Sequence, residues 1–292
     1  MRGNAAMHDL IAPGDLGAVL QLLAAEPGAW TPIAGGTELM VAFAAGRLAS
    51  PKLVSLWGIP ELRAIEVTPR SVIIGAAATF LDLRRSAVIS AELPLLARAA
   101  SWIGSVANQG RATLGGNLVN GSPAADSSPA LLAYDAEIEI VSVRGHRRVP
   151  YSAFHTGYKR NVLSPDELLY AIHVPRRFAR HARYLRKVGT RRAMAIAKVA
   201  LGATILFESG VIREIRLGAA SLAPFPTRLL KTEAALLGQS VTRETMQSAH
   251  RSLLSEINPI DDIRSTAEYR RRVALNLLDE CLLSLRQEGL QS

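Results

Sequence analysis

The spacing of apolar residues at the start of the chain predicts a helix, a strand and a second helix. Apolar side chains in Leu16 to Ala25 recur at helical intervals, and Pro27 stops the pattern. Trp30 to Ala34 is a short apolar run that predicts a strand. Residues 38–46 again have helical spacing, with Thr37 placed to cap them.

Further along, strands and helices continue to alternate until the pattern becomes that of an antiparallel sheet followed by helices. Strands are predicted at 53–56, 64–67, 71–78, 136–143 and 167–174, and helices at 81–86 and 92–107. Residues 195–207 and 211–220 form two long strand patterns joined by Glu208-Ser209-Gly210, which is a good hairpin turn. Beyond this hairpin the spacing is helical. The chain is therefore predicted to be an α+β protein.

Two glycine pairs follow core elements, in AGGTE (residues 34–38) and in TLGGN (residues 113–117). The glycines in both loops have no side chains, so phosphates could approach the main-chain N–H groups there. Neither has the GxGxxG or GxxxxGK[ST] pattern, so neither a Rossmann dinucleotide fold nor a nucleoside triphosphatase is indicated. The competing interpretation of each pair is an ordinary turn.

Composition narrows the class of protein. A chain of 292 residues with 49% hydrophobic and 20% charged residues suits about two globular domains, and 5% aromatic residues argue against base stacking. The single cysteine, Cys281, excludes an iron–sulfur cluster held by this chain alone and fits a reducing compartment. Asp9 and Asp15 interrupt the N-terminal segment, so no export signal is expected. Lys198 breaks the longest apolar run, so no membrane span is expected.

The net charge of +9 is concentrated in residues 176–192, which carry seven arginines and one lysine. This basic run is interpreted either as a solvated face with ordinary ion pairs or as a docking or anion-binding face. The histidines lack the spacing of a zinc site, and Ser122 lacks the GxSxG context of a hydrolase. We therefore expect no metal site and no catalytic triad.

The sequence resembles a known family at the two glycine loops. PIAGGTELM (32–40) and TLGGNLVNGSPAADSSPALLAYDAEIEI (113–140) look like the FAD-binding medium subunit of molybdenum hydroxylases, the group of xanthine dehydrogenase and aerobic carbon monoxide dehydrogenase. The similarity continues in KVGTRRAMAIAKV (187–199) and DDIRSTAEYRRRVALNLL (261–278). It implies a two-part α/β FAD-binding domain of the vanillyl-alcohol-oxidase type over residues 1–177, with parts of about 1–57 and 58–177, and a C-terminal domain over 178–292 with a small antiparallel sheet and helices.

The resemblance also implies which residues contact FAD. From the first loop these are Ile33, Ala34, Gly35, Gly36, Thr37, Glu38 and Leu39, around the diphosphate and ribityl region, and from the second Thr113, Gly115, Gly116 and Asn117. Leu169 would lie against the flavin ring, Lys187 near its polar edge, and Ile103 where the family has an aromatic residue. Ser122 is a small donor near the second loop. Asp126 is an acid suited to ribose hydroxyls, although it could instead cap a turn or helix, and Lys187 could simply belong to the basic run.

The resemblance implies an oxidoreductase subunit with FAD as its cofactor and no acid–base catalytic residue of its own. Its expected partners are a small iron–sulfur subunit and a large molybdenum-cofactor subunit, assembled as a dimer of heterotrimers in the cytoplasm. Electrons would pass to NAD, a quinone or oxygen. Two alternatives stay open: a self-contained FAD-dependent oxidoreductase with its own substrate site, and a basic protein that binds nucleic acid through residues 176–192.

Overall fold

The computed structural model describes residues 7–191 and 193–289, which form three packed units. The first unit has a parallel sheet in the order β1-β3-β2, made of β1 (Asp9–Ile11), β2 (Trp30–Ile33) and β3 (Lys52–Ser55), with helices α1 (Leu16–Ala25) and α2 (Leu39–Ala44). Asp15 caps α1 by accepting a hydrogen bond from the N–H of Ala18 at 2.8 Å. Val19, Leu23 and Val54 fill the core of this unit.

The second unit is built on an antiparallel sheet of five strands in the order β4-β5-β10-β6-β7. Its strands are β4 (Ile65–Val67), β5 (Ser71–Gly75), β6 (Glu137–Ser142), β7 (Gly145–Pro150) and β10 (Leu168–Pro175), beside a small hairpin of β8 (His155–Gly157) and β9 (Arg160–Asn161). Its helices are α3 (Phe80–Arg85), α4 (Ala87–Glu92), α5 (Pro94–Ala100), α6 (Val106–Gln109), α7 (Leu114–Val119) and α8 (Ser128–Ala133). The apolar faces of the sheet and helices form one core.

The third unit is an antiparallel sheet in the order β11-β12-β13-β14, packed against three helices. The strands are β11 (Ala182–Val188), β12 (Val199–Glu208), β13 (Val211–Ala220) and β14 (Thr227–Arg228), and the helices α9 (Leu230–Leu236), α10 (Arg243–Glu256) and α11 (Ala267–Gly289). Ser209 and Gly210 both have positive φ, 50° and 74°, as a two-residue hairpin turn requires. The predicted hairpin is therefore present, although its first strand begins at Val199.

Helix α8 joins the second and third units. All six of its residues are buried, and its Pro129 carbonyl lies against Gly202 and Gly218 of the third sheet. A Cβ at either glycine would stand 2.7 or 2.6 Å from that oxygen, so only glycine allows this approach. The hydroxyl of Thr204 donates to the carbonyl of Ala133 at 2.7 Å.

A cluster of charges, the Asp135 cluster, lies at the same junction. Asp135 has φ 52° and forms ion pairs with Arg177, Arg216 and Arg228, two of which belong to the third unit. One carboxylate from the second unit therefore holds three guanidinium groups.

Two local predictions were wrong. Residues 92–107 do not form one helix, because Pro94 begins a new helix and Gly104 adopts φ 44°, leaving short helices on either side. Helix α2 begins at Leu39 with Glu38 at its cap position, and no side chain caps it, so Thr37 does not have the predicted role. The α+β class and the antiparallel C-terminal sheet are confirmed. Among the described residues, none of the helices is both long and apolar enough to cross a membrane.

Candidate functional site

A cavity of about 570 Å³ lies where the first and second units meet, between the two glycine loops. This volume is in the usual range of small-molecule and cofactor sites. Twelve of the sixteen predicted contact residues line it: Ala34, Gly35, Gly36, Thr37, Glu38, Leu39, Ile103, Thr113, Gly115, Gly116, Asn117 and Leu169. Both loops therefore contribute to one site, although they belong to different sheets.

In the first loop, the two glycines serve different purposes. A Cβ on Gly35 would stand 1.7 Å from the carbonyl oxygen of Arg111, so the loops touch at a point that no side chain could occupy. Gly36 has φ 74°, which turns the chain from β2 into α2. Within the described part of the chain, the N–H groups of Gly35, Gly36, Thr37 and Glu38 have no protein acceptor. This run of free donors suits an anion such as a diphosphate.

The second loop is held differently, and its backbone is not free to bind an anion in the way that the sequence suggested. Its N–H groups already donate to Ala78 (from Leu114), to Ala76 (from Gly115), to the Thr113 hydroxyl (from Gly116) and to the Thr113 carbonyl (from Asn117). Gly115 is required here because a Cβ would lie 2.6 Å from the Cβ of Ala76. The loop is thus packed against the strand end at residues 76–78, and it offers side chains to a ligand.

The side chains of the second loop keep some donors available. Asn117 accepts a hydrogen bond from the Ser127 hydroxyl at 2.6 Å through its amide oxygen, which leaves its amide NH₂ to donate. The Thr113 oxygen accepts from Gly116 at 3.1 Å, and its own O–H can still donate. Glu38, on the other loop, is exposed and pairs with Lys159 at 3.3 Å.

One wall of the cavity is apolar. Leu169, which is buried, and Ile103 line it together with Leu56, Leu62, Ala77 and Leu168. A cavity lined by both apolar side chains and free N–H donors suits a ligand with a flat aromatic part and a charged part. We therefore find that the residues present fit a flavin dinucleotide.

Sequence analysis did not predict several of the residues that line the cavity. They are Trp30, Thr31, Asn120, Asn161, Ser164 and Glu167. Trp30 and Thr31 directly precede the first loop, so proximity in sequence was an available signal. Asn161 comes from the β8–β9 hairpin and donates to the carbonyl of Val119 at 3.2 Å, a long-range contact that no local pattern reveals.

Four predicted residues do not line the cavity: Ile33, Ser122, Asp126 and Lys187. Ile33 is the last residue of β2, and its carbonyl accepts from Leu56 at 2.9 Å. Ser122 accepts from the N–H of Ala124 at 3.3 Å, which is a turn contact.

Asp126 and Lys187 form a buried ion pair beside the cavity. Their charged atoms lie 2.7 Å apart, and the side chains are 12% and 9% exposed. Burial raises the pKa of Asp126 to about 6 even though Lys187 opposes the shift. Its second oxygen, Oδ1, is buried without a hydrogen-bond partner in the described residues. Lys187 also lies 5.8 Å from the ring of Trp102, the neighbour of the lining residue Ile103.

Four of the seven described cations of the basic run form ion pairs within the protein, which favours ordinary ion pairing over a docking face. Its ion pairs join Arg176 to Glu92, Arg177 to Asp135 and Glu214, Arg186 to Glu280, and Lys187 to Asp126. Arg192 lies outside the described residues.

A second, more open cavity of about 910 Å³ lies near the Asp135 cluster and is lined by four arginines, Arg70, Arg176, Arg177 and Arg228. Three of them are already engaged in ion pairs. The described residues contain no group of histidine, cysteine, aspartate and glutamate side chains that could hold a metal ion.

Comparisons with known proteins agree with the cavity's chemistry. The family profile described as "FAD binding domain in molybdopterin dehydrogenase" matches residues 5–177, and the profile described as "CO dehydrogenase flavoprotein C-terminal domain" matches residues 184–285. The xanthine dehydrogenase FAD-binding subunit of Escherichia coli O157:H7 is 33% identical over 253 residues, covering 86% of each chain.

Carbon monoxide dehydrogenase of Hydrogenophaga pseudoflava is similar in both sequence and structure. Its medium chain is 29% identical over 272 residues, covering 93% of this chain and 94% of the relative. A solved structure of that enzyme, in a form that lacks the molybdenum-pyranopterin moiety, superposes with a TM-score of 0.90 at 29% identity, covering 97% of this chain and 98% of the other. Quinoline 2-oxidoreductase of Pseudomonas putida 86, at 22% identity and a TM-score of 0.89, shares the fold.

Proposed function

This chain belongs to the family of FAD-binding subunits of molybdenum hydroxylases, and we propose that it carries electrons from a partner subunit to an oxidant outside the complex. FAD, which the family binds, supplies the redox chemistry. The chain's own residues bind and orient it, exclude water from one face and supply fixed charge.

The observation that carries the proposal is the run of four free N–H donors from Gly35 to Glu38 in residues that line a partly apolar cavity. In the proposed binding mode the diphosphate lies on these donors. A hydrogen bond to a charged acceptor contributes about 1.5 to 3 kcal/mol, so a few of them hold the diphosphate without a lysine. Thr113 and Asn117 add side-chain donors from the second loop.

The flavin ring is proposed to lie against Leu169 and Ile103, where apolar surface excludes water. Lys187 then stands near the polar edge of the ring as a fixed positive charge, and Asp126 accepts a hydrogen bond from a ribose hydroxyl. The orphaned Oδ1 of Asp126 supports the latter role, because a buried carboxylate oxygen without a donor is costly.

The remaining parts of the proposal concern the assembly. We propose a small iron–sulfur subunit as the electron donor and a large molybdenum-cofactor subunit beside it, in a dimer of heterotrimers, with NAD, a quinone or oxygen as acceptor. The FAD-binding domain spans residues 1–177, in parts of about 1–57 and 58–177, and the C-terminal domain spans 178–292. The single buried thiol of Cys281 supports a reducing compartment, the cytoplasm.

The test is a visible absorption spectrum of the purified chain, followed by release and chromatographic identification of the cofactor. About one FAD per chain is expected. Reduction of that flavin by a co-expressed iron–sulfur partner, and not by small molecules offered to the chain alone, supports the electron-transfer role. Reduction by a small-molecule substrate without partners would identify a self-contained oxidoreductase, and failure to take up FAD would reject the proposal.

A further inference from the structure

The proposed FAD site is formed by two loops that belong to different sheets, so its shape depends on the distance between them. Residues 34–38 follow β2 of the first unit, and residues 113–117 begin α7 of the second. A site whose halves can drift apart must be ordered by its ligand, and this ordering lowers affinity. Side chains that fix this distance without lining the cavity would therefore raise the affinity for FAD.

Arg111 is the residue through which the loops touch. The carbonyl oxygen of Arg111 packs directly against Gly35, and Arg111 lies two residues before Thr113. Its side chain extends back toward the first unit, where the guanidinium carbon lies 3.9 Å from the ring centroid of Trp57. Within the described residues this guanidinium makes no ion pair and donates no hydrogen bond, so the indole is its evident partner.

Trp57 is fixed to the base of the first loop. It follows Leu56, whose N–H donates to the carbonyl of Ile33 at 2.9 Å, directly before the loop. The N–H of Trp57 itself donates to the Ser55 hydroxyl at 3.3 Å. Movement of the indole is therefore coupled to movement of residues 33–36.

A second cation completes the arrangement. Arg63 lies 5.1 Å from the Trp57 ring centroid and forms an ion pair with Asp82 at 3.1 Å. Asp82 in turn accepts from the N–H of Thr79, which bridges to Thr113 in the second loop. The indole thus contacts two guanidinium groups: Arg111 lies directly before the second loop, and Arg63 is connected to that loop through Asp82 and Thr79.

We infer that Trp57 and Arg111 are positioning residues that set the spacing of the two glycine loops and thereby the affinity for FAD. This inference rests on the proposed placement of FAD between those loops. Neither side chain lines the cavity between the loops, so their proposed role is to position the loops. The attraction between a cation and an aromatic face depends on the π electrons of the ring, which a side chain of similar bulk without them cannot supply.

The test is titration of FAD-free full-length chain with FAD, followed by flavin fluorescence, for the wild type and four variants. Trp57→Leu and Arg111→Met keep apolar bulk and remove the stack, and each is expected to raise the Kd for FAD about tenfold. Trp57→Phe keeps an aromatic face and is expected to recover most of the affinity. The double variant Trp57→Leu/Arg111→Met is expected to bind no more weakly than Trp57→Leu alone, because one interaction is lost only once.

Arg213→Met is the matched control, since it removes an exposed guanidinium that pairs with Glu208 at 3.3 Å in the β12–β13 hairpin, remote from both loops. It is expected to leave the Kd unchanged. Wild-type affinity in Arg111→Met, whose exposed side chain leaves folding intact, would overturn the inference. So would a double variant whose loss equals the product of the two single losses, or a Trp57→Phe variant as weak as Trp57→Leu. A wild-type chain that binds no FAD would instead reject the proposed function.

Discussion

Replacing Gly35 by alanine is expected to weaken FAD binding by one to two orders of magnitude. The added Cβ would stand 1.7 Å from the Arg111 carbonyl oxygen and 2.5 Å from its carbonyl carbon. Both atoms are backbone, so no side-chain rotation relieves the clash. The two loops must separate by more than about an ångström, and overpacking of this kind costs about 1 to 3 kcal/mol.

The consequence for binding follows from the position of the clash. Separation of the loops moves the N–H donors at residues 35–38 away from Thr113 and Asn117 on the facing side of the cavity. Because about 1.4 kcal/mol corresponds to a tenfold change in Kd, a loss of 1 to 3 kcal/mol predicts a Kd roughly 5 to 150 times higher.

The assay is FAD titration of the FAD-free chain, with circular dichroism to establish that the variant folds. Gly14→Ala is the control, because a Cβ there meets nothing within 4 Å. Both substitutions remove the backbone freedom of one glycine, so a difference between them reports the contact. Wild-type affinity in a folded Gly35→Ala chain would refute the idea that the loops' close approach forms the site.

Three further predictions concern the buried groups and the junction between units. Burial raises the pKa of Asp126 from 3.8 to about 6, so the folded state binds the extra proton between these values. The free energy of unfolding of the FAD-free chain should therefore fall by about 2 kcal/mol from this group as pH rises from 4 to 7, and Asp126→Asn should flatten that slope in urea titrations. Gly202→Ala should destabilise the chain by about 1 to 3 kcal/mol, since its Cβ would meet the Pro129 carbonyl at 2.7 Å; an unchanged urea midpoint would contradict this packing. Asp135→Asn keeps the shape and the positive φ but removes the charge shared by three arginines, so a loss of about 1 to 3 kcal/mol, smaller in high salt, is expected in the same assay.

The sequence predicted the features that depend on local chemistry. The β12–β13 hairpin follows from two long strand patterns around Ser209 and Gly210, and the structure has both residues at positive φ. The two glycine loops were assigned to one candidate site because the sequence at both resembles a known FAD-binding family, since a glycine pair alone is also compatible with an ordinary turn. In Gly35 and Gly115 the close neighbours proved to be other segments of this chain.

What the sequence could not predict depends on contacts between distant segments. No local pattern indicates that the N–H groups of Leu114 and Gly115 are already used by Ala78 and Ala76, which lie about 40 residues earlier in the chain. The same holds for Lys187, whose neighbours in sequence are cations while its ion-pair partner is Asp126. Asn161 enters the cavity only because a hairpin folds back over Val119. Each of these is fixed by tertiary packing, which overrides a local interpretation.

The third unit contributes to the site although none of its described residues lines the cavity. A fully buried guanidinium, Arg270 of α11, donates to the carbonyls of Lys198 at 2.7 Å and Ser221 at 3.2 Å. The N–H of Ser221 donates to the carbonyl of Pro123, three residues before Asp126. The N–H of Lys198 donates to the carbonyl of Val188, the residue after Lys187. Hydrogen bonds to the C-terminal unit therefore fix the segments that carry Asp126 and Lys187. The position of this ion pair depends on both halves of the chain.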